Sequence, residues 1–378
     1  MSATKSAHRA VLVTGANGYI GNAVARAFSR AGWTNTDLFE RSLFFPNLLQ
    51  MKSFLSSGPH PVLRSSLISR RKELCLMFSS RRQSRSWTTY PTYVAPSLRE
   101  YAARLPEITG PDADSDYQGL FNDVVSLLRL LAKQSNAKGI RPLVIFTSGC
   151  KDYGMSPFSA TSKEKSPHTE ESPLKPPPFA VDRANGTIKI FENEDLFDVI
   201  VTRPTNVYGL SSSFYGLIFK FAEDAKKKGV WEIDERPDTI LHAMHVDDCG
   251  EAYVALAEAD RSVVKGQYYN VSAREWETLG DIANAIVKEY GIESGVKYVD
   301  GPEGRLPVEL DFNRMLLGFS QWVGSEKLRK DTGWCDRRQL FSEGIHIYRL
   351  AYEVATQRGR GILQKVENRI SQSLKVSK

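Results

Sequence analysis

Ala10-Val11-Leu12-Val13-Thr14-Gly15-Ala16-Asn17-Gly18-Tyr19-Ile20-Gly21 is an apolar run of four residues followed by three glycines in the spacing G-x-x-G-x-x-G. The apolar run reads as a buried parallel strand. From Asn22 to Arg30, Val24, Phe28 and several alanines fall on one side of a helix that closes at Gly32. The order is strand, glycine turn, helix. In that context each glycine has a physical task. One allows the tight turn, one lets an anion approach bare backbone, and one lets the helix pack close to the sheet. Free N–H groups and the helix dipole then favour the pyrophosphate of a dinucleotide. Thr14, Gly15, Asn17, Gly18, Tyr19, Ile20 and Gly21 are therefore candidate cofactor-binding residues. The plain alternative is a tight turn with no ligand, and the flanking strand and helix argue against it.

The pattern continues outward from this unit. Residues 142–146 (PLVIF) and 198–202 (DVIVT) read as buried strands, and Tyr268 to Val271 as a further one. Apolar side chains at 120, 121, 124, 125, 128 and 131 make an amphipathic helix of 116–133. Asp182 to Leu196 reads as a helix weakened by Gly186. Ser211 can cap a helix that runs to Lys228 and stops at Gly229. Ile240 to Val246 reads as a strand, followed by an alanine-rich helix to Ala259. Thr278 to Tyr290 begins Thr-x-x-Asp and ends at Gly291. The expected class is α/β: a Rossmann-type doubly wound parallel sheet over 9–209 with a smaller C-terminal substrate lobe over 210–350. The segment 240–259 returns to the first domain, and 351–378 forms a C-terminal helix and tail.

Composition bounds the class. The chain has 378 residues, 41% hydrophobic and 25% charged, a globular balance. No run approaches the length of a membrane span, and the first residues lack the apolar centre of a signal peptide. Cys75, Cys150, Cys249 and Cys335 are scattered without metal-type spacing. A reduced, cytoplasmic protein without membrane contact is expected. The net charge of +6 is local: residues 35–105 hold 11 basic and 4 acidic side chains, leaving 39 basic and 40 acidic elsewhere. Nucleic-acid binding through this Arg/Ser-rich arm ranks last, because the rest is near neutral and aromatics are not interleaved. The same segment breaks the pattern. Residues 35–110 should carry two strand–helix units, yet only Leu74 to Phe78 suggests a strand. A lineage-specific insertion and a retained intron or shifted reading frame both explain it, and the abrupt loss of pattern after Trp33 favours the second.

Taken together, the motifs resemble the extended and atypical branches of the short-chain dehydrogenase/reductase superfamily, the NAD-dependent epimerase/dehydratase type. Thr14 to Gly21 is similar to its TGxxGxxG, and Phe146 to Gly154 to the strand and loop of its catalytic Ser or Thr. Thr169-Glu170-Glu171-Ser172-Pro173 is similar to the acidic loop that follows. Arg203-Pro204-Thr205-Asn206-Val207-Tyr208-Gly209 is similar to RPxNVYG, and His245-Val246-Asp247-Asp248 to HVDD. The resemblance implies NAD or NADP as cofactor, with Pro204, Asn206 and Arg183 in its pocket and Tyr208 shaping it. It also implies a small organic substrate, and a homodimer is compatible with it. Glu40 or Arg41 stands near the position that meets the adenosine ribose or its 2′-phosphate.

The family's chemistry rests on Tyr-x-x-x-Lys, and none of the 15 tyrosines here has Lys four residues later. By position, Phe179 stands for the Tyr, Arg183 for the Lys, and Gly149 for the hydroxyl residue. Phe has no proton to give, Gly has no hydroxyl, and Arg holds its proton. Ser148, Tyr153 and Arg183 are the candidate catalytic residues, with Cys150 and His168 as weaker stand-ins. His242 and His245 lie three apart but have no third partner for a metal. The expected function is an NAD(P)-binding oxidoreductase or epimerase with a non-standard site. The alternative is an NAD(P)-sensing regulatory protein without catalysis.

Overall fold

The computed structural model describes residues 9–13, 18–37, 74–79, 117–210 and 214–357. The elements of the first half are β1 (Ala10–Val13), α1 (Tyr19–Arg30), β2 (Thr34–Asp37), β3 (Leu74–Ser79), α2 (Tyr117–Asn136), β4 (Leu143–Thr147), α3 (Val181–Lys189), β5 (Asp198–Pro204) and β6 (Asn206–Tyr208). The second half adds α4 (Gly216–Lys228), β7 (Trp231–Ile233), β8 (Ile240–Leu241), β9 (Ala243–His245), α5 (Val246–Glu258), α6 (Arg261–Val264), β10 (Gln267–Val271) and β11 (Glu277–Thr278). It closes with α7 (Leu279–Tyr290), β12 (Val296–Tyr298), α8 (Phe312–Leu317), α9 (Glu326–Thr332) and α10 (Ile345–Gln357).

The main sheet has the order β10-β5-β4-β3-β1-β2, and every pairing in it is parallel. The order reverses between β1 and β3, which is where a doubly wound sheet opens a crevice. Side chains alternate between two cores, as the strand period requires. Val11, Val13, Ile145 and Ile200 face α1 and α5, with Phe28 and Tyr253. Leu12, Val144, Phe146, Val199 and Val201 face the other way, onto Phe121, Val124 and Leu128 of α2. Helices thus cover both faces, and the continuous apolar reading of β4 and β5 follows from burial on both sides. A third core holds the C-terminal lobe, with Tyr208, Tyr215, Phe219, Ile282, Ile286 and Phe341. Small two-stranded sheets, β6–β9, β7–β12 and β8–β11, frame it.

Several elements differ from expectation. α1 starts at Tyr19 rather than Asn22, because Ile20 and Gly21 are already buried on its inner face. The helix expected over 182–196 ends at Lys189 and tightens into a 3-10 turn over Ile190–Asn193. The strand expected over 240–246 is split at His242, whose ring bonds other parts of the chain. The anomalous segment supplies two sheet strands: β2 and β3 pair with β1 on its two sides, and β3 also joins β4. Residues 38–73 and 80–116 lie outside the described residues, as do Ser211 and the tail 358–378. Among the described residues no helix is long and apolar enough to cross a membrane.

Candidate active site

The strands of a parallel sheet deliver their C-terminal ends to one edge. Here the ends of β1, β4 and β5 bring Gly18, Ser148-Gly149 and Pro204-Thr205 to that edge. Thr14, Gly15 and Asn17 lie outside the described residues, as do Glu40 and Arg41. Gly18 is the N-cap of α1, with extended backbone and no side chain capping the helix, and the first turn holds no acidic residue. Among the described residues no side chain competes with an anion for this helix end. Ile20 and Gly21 are buried against the core. Tyr19 is committed to the chain: its hydroxyl donates to the Gly209 carbonyl, and burial raises its pKa well above that of an ordinary tyrosine.

Gly209 is required where it stands. Its φ is 97°, and a Cβ there would lie 2.2 Å from His245 Nε2. The His245 Nδ1 accepts from the Asp247 amide at 3.1 Å and so caps α5, and burial lowers its pKa. His242 is held elsewhere, with Nε2 on the Ala273 carbonyl at 3.0 Å and Nδ1 accepting from the Val323 amide at 3.1 Å. The two histidines do not converge, and among the described residues no group of three metal-type side chains forms.

The loop after β4 carries a buried charge. A 3-10 turn over Cys150–Tyr153 drops Asp152 to complete burial. Ser148 Oγ donates to one of its oxygens. The other accepts from Arg183 Nε at 3.0 Å and Arg183 Nη2 at 2.5 Å. Arg203 Nε stands 3.7 Å from the carboxylate on the inner side. Arg183, on the first turn of α3, lies across Gly149: a Cβ at Gly149 would sit 3.4 Å from three of its guanidinium atoms. The arginine therefore covers the backbone at Gly149. The bonds to Asp152 use Nε and Nη2 and leave Nη1, in a side chain 19% exposed.

The other candidates are drawn inward. Tyr153 donates to Asn270 Oδ1 at 2.8 Å, accepts from Arg203 Nη1 at 3.3 Å and stacks on His168 at 5.3 Å. Burial raises its pKa above the ordinary tyrosine range. Cys150 Sγ donates to the Arg203 carbonyl, and burial raises the thiol's pKa, so it is no ready nucleophile. Phe179 sits on a 3-10 turn before α3 and is 51% exposed. Pro204 ends β5, Asn206 opens β6 half-buried, and Tyr208 is buried with its hydroxyl on the Gln339 carbonyl.

Three residues lie within the quoted motifs without any separate role marked for them there: Asp152, Arg203 and Thr205. Among the described residues, Thr205 Oγ1 is buried without a partner just past the end of β5. Asp152 reads in isolation as a loop charge, and no local pattern marks it. Its tie to Arg183 spans 31 residues and appears only in the fold.

Residues 108–272 match the model of the NAD dependent epimerase/dehydratase family. No curated protein matches the chain in sequence. Among solved structures, dTDP-glucose 4,6-dehydratase from Bacillus anthracis, in complex with NAD, is 17% identical at TM-score 0.53, covering 92% of this chain and 97% of that one. UDP-glucose 4-epimerase from Thermotoga maritima, with UDP-glucose, is 17% identical at TM-score 0.55, covering 92% and 99%. RMD from Pseudomonas aeruginosa, complexed with NADPH, is 16% identical at TM-score 0.54, with the same coverage of 92% and 99%. The family match is thus confined to residues 108–272, while the chain as a whole shares its fold with these dehydratase and epimerase structures.

Proposed function

We propose that this chain binds NAD or NADP and performs oxidoreductase or epimerase chemistry on a small organic substrate, with a fixed arginine in place of the usual proton relay. The observation that carries the reading is the Asp152–Arg183 pair laid across Gly149. Two features support the cofactor. Among the described residues, the N-terminus of α1 at Gly18 has no competing cap, and the Thr205 hydroxyl is buried and unpartnered at the same sheet edge. Gly18, Thr205 and Asn206 would line the dinucleotide's path, which ends near Arg183. When bound, the dinucleotide supplies a hydride donor or acceptor.

The chain's residues supply position and charge. Asp152 fixes Arg183, so its guanidinium is pre-oriented rather than mobile. Nη1 can donate to a substrate oxygen that gains negative charge. Arginine stays protonated at working pH, so it stabilises that charge without giving up a proton. The Ser148 and Tyr153 hydroxyls are both engaged by the chain, and the proton on the product oxygen then comes from water.

A tryptophan-emission titration with both dinucleotides, followed by turnover against a panel of carbonyl compounds, tests the reading. Saturable binding that Gly18→Leu abolishes is expected. Arg183→Ala should keep dinucleotide binding and lower kcat about 10²–10³-fold. No saturable binding of either dinucleotide would remove the proposal. The engaged hydroxyls of Ser148 and Tyr153 favour a second reading, a dinucleotide sensor without turnover. Binding without turnover on the whole panel would select it. Phe179→Tyr combined with Arg183→Lys would then ask whether only the relay is missing, through a gain of reductase activity.

A further inference from the structure

The chain passes from the sheet domain into the C-terminal lobe within a few residues. Val207 lies in the core shared with α1, and Tyr208 in the core of the lobe. Leu210 packs back on the first core, and Phe214 and Tyr215 belong to the second. The crossing is therefore made at Gly209 and Leu210. Both have positive φ, 97° and 48°. Among the described residues, Leu210 is the one non-glycine residue with positive φ. Leucine is rarely found there, and such a conformation persists only where the surroundings hold it.

Two side chains hold the crossing. The His245 ring lies against Gly209 on one side, and it is itself fixed by capping α5 and by packing 5.5 Å from Tyr348 of α10. On the other, the Tyr19 hydroxyl donates to the Gly209 carbonyl across 190 residues of chain. Tyr19 is the first residue of α1, directly after Gly18. Its amide is among those a helix start leaves for an anion. One residue thus carries both the amide that faces the dinucleotide's path and the hydroxyl that holds the crossing. Burial raises the pKa of that hydroxyl, so it keeps its proton and donates at working pH. The ring itself packs against the first core, as Leu210 does.

We propose that Tyr19 is a positioning residue, whose hydroxyl on Gly209 couples the seating of the dinucleotide at α1 to the entry of the chain into the C-terminal lobe. The coupling rests on the cofactor reading. A dinucleotide that bonds the main chain at the start of α1 holds Tyr19 in place. Holding Tyr19 removes the local openings in which its hydroxyl leaves the Gly209 carbonyl. Leu210, whose conformation depends on its surroundings, is then held as well, and the lobe's first residues with it. The dinucleotide need not touch the lobe for this to occur, because the tyrosine reaches it.

Amide hydrogen exchange of the full chain, read by mass spectrometry with and without saturating NAD or NADP, tests the coupling. In the unaltered chain the bound dinucleotide should slow exchange in α1 and, by about fivefold or more, in residues 206–210 and 214–219. Tyr19→Phe keeps the ring and its packing and removes only the hydroxyl. It should retain the slowing in α1 and reduce that in the crossing to less than about twofold. Leu210→Gly loosens the same crossing but leaves the hydroxyl in place. It should exchange faster there in the free chain and still respond to the dinucleotide. Three results would overturn the proposal: a crossing that ignores bound dinucleotide in the unaltered chain, an undiminished response in Tyr19→Phe, or a response lost equally in Leu210→Gly. Dinucleotide binding is read separately from tryptophan emission. An unaltered chain that binds neither dinucleotide would remove the cofactor reading and the coupling with it, whereas binding with an unresponsive crossing would remove the coupling alone.

Discussion

Asp152 carries the most charge-dependent contacts of any side chain near the candidate site. Its carboxylate is wholly buried and faces Ser148, Arg183 and Arg203. Removing one partner of a buried ion pair leaves the other uncompensated. Asp152→Asn should therefore destabilise the fold by about 3 kcal/mol, measured by urea unfolding. The same variant should release Arg183 and lower turnover. A change below about 0.5 kcal/mol would mean that the arginines are solvated rather than held. His242 makes a second prediction. Burial pushes its pKa down to about 4, and both ring nitrogens serve the neutral form, one donating to Ala273 and one accepting from Val323. The unfolded histidine binds a proton near pH 6.5, so the unfolded state gains protons that the native state refuses. Stability is then full above about pH 6.5 and is lost as pH falls toward 4, by about 3 kcal/mol in all. Unfolding measured at both ends of that window should show the loss, and His242→Gln should flatten it. Neither residue announces itself locally: a lone Asp in a loop and a lone His in a strand look like any other.

Elements were more legible than residues. β1, α1, α2, β4, β5, α5 and α7 follow from apolar period and from caps. α7 begins with the full capping box of Thr278 and Asp281 and ends at Gly291 in the left-handed region, φ 63°. Boundaries slipped where burial overrode pattern, as at Tyr19. β2 escaped notice because Thr34-Asn35-Thr36-Asp37 has no strand pattern of its own, and its place comes from pairing with β1. The contact between α1 and α5 shows the same dependence on partners. A Cβ at Gly250 would lie 2.7 Å from the Ala23 carbonyl oxygen, so glycine lets the two helices touch. Gly250→Ala should push α1 outward. The expected cost is about 1–3 kcal/mol in stability, with weaker dinucleotide binding because the N-terminus of α1 moves with its helix. Thermal unfolding and the emission titration read the two effects together. Unchanged values in both would show that the helices can part freely.

At the scale of the whole molecule, the chain crosses between its cores more than once. α5 and β10 come from beyond residue 245, yet α5 packs on α1 and β10 pairs with β5 along its length. A fragment ending at residue 210 would expose both surfaces. It should lack near-ultraviolet circular dichroism and fail to unfold cooperatively, whereas a cooperative transition in that fragment would refute the interdependence. The segment 35–110 belongs to the same scale. Two of its short stretches sit in the sheet as β2 and β3, while its charge and composition differ from the remainder. Sequencing the transcript across it separates an encoded insertion from a retained intron, and an uninterrupted message for every residue would remove the second explanation.

Local pattern alone was enough for the parallel α/β class and the absence of a Tyr-x-x-x-Lys pair, because strand runs and residue identity are short-range properties. Which groups face one another was beyond its reach. Arg183 over Gly149, Asp152 bound to Arg183 and Asn270 on Tyr153 join residues far apart in the chain. Their meeting depends on how two sheet-covering cores and a third lobe core close on each other. Burial then settles which polar groups are consumed by the fold and which remain to meet a ligand.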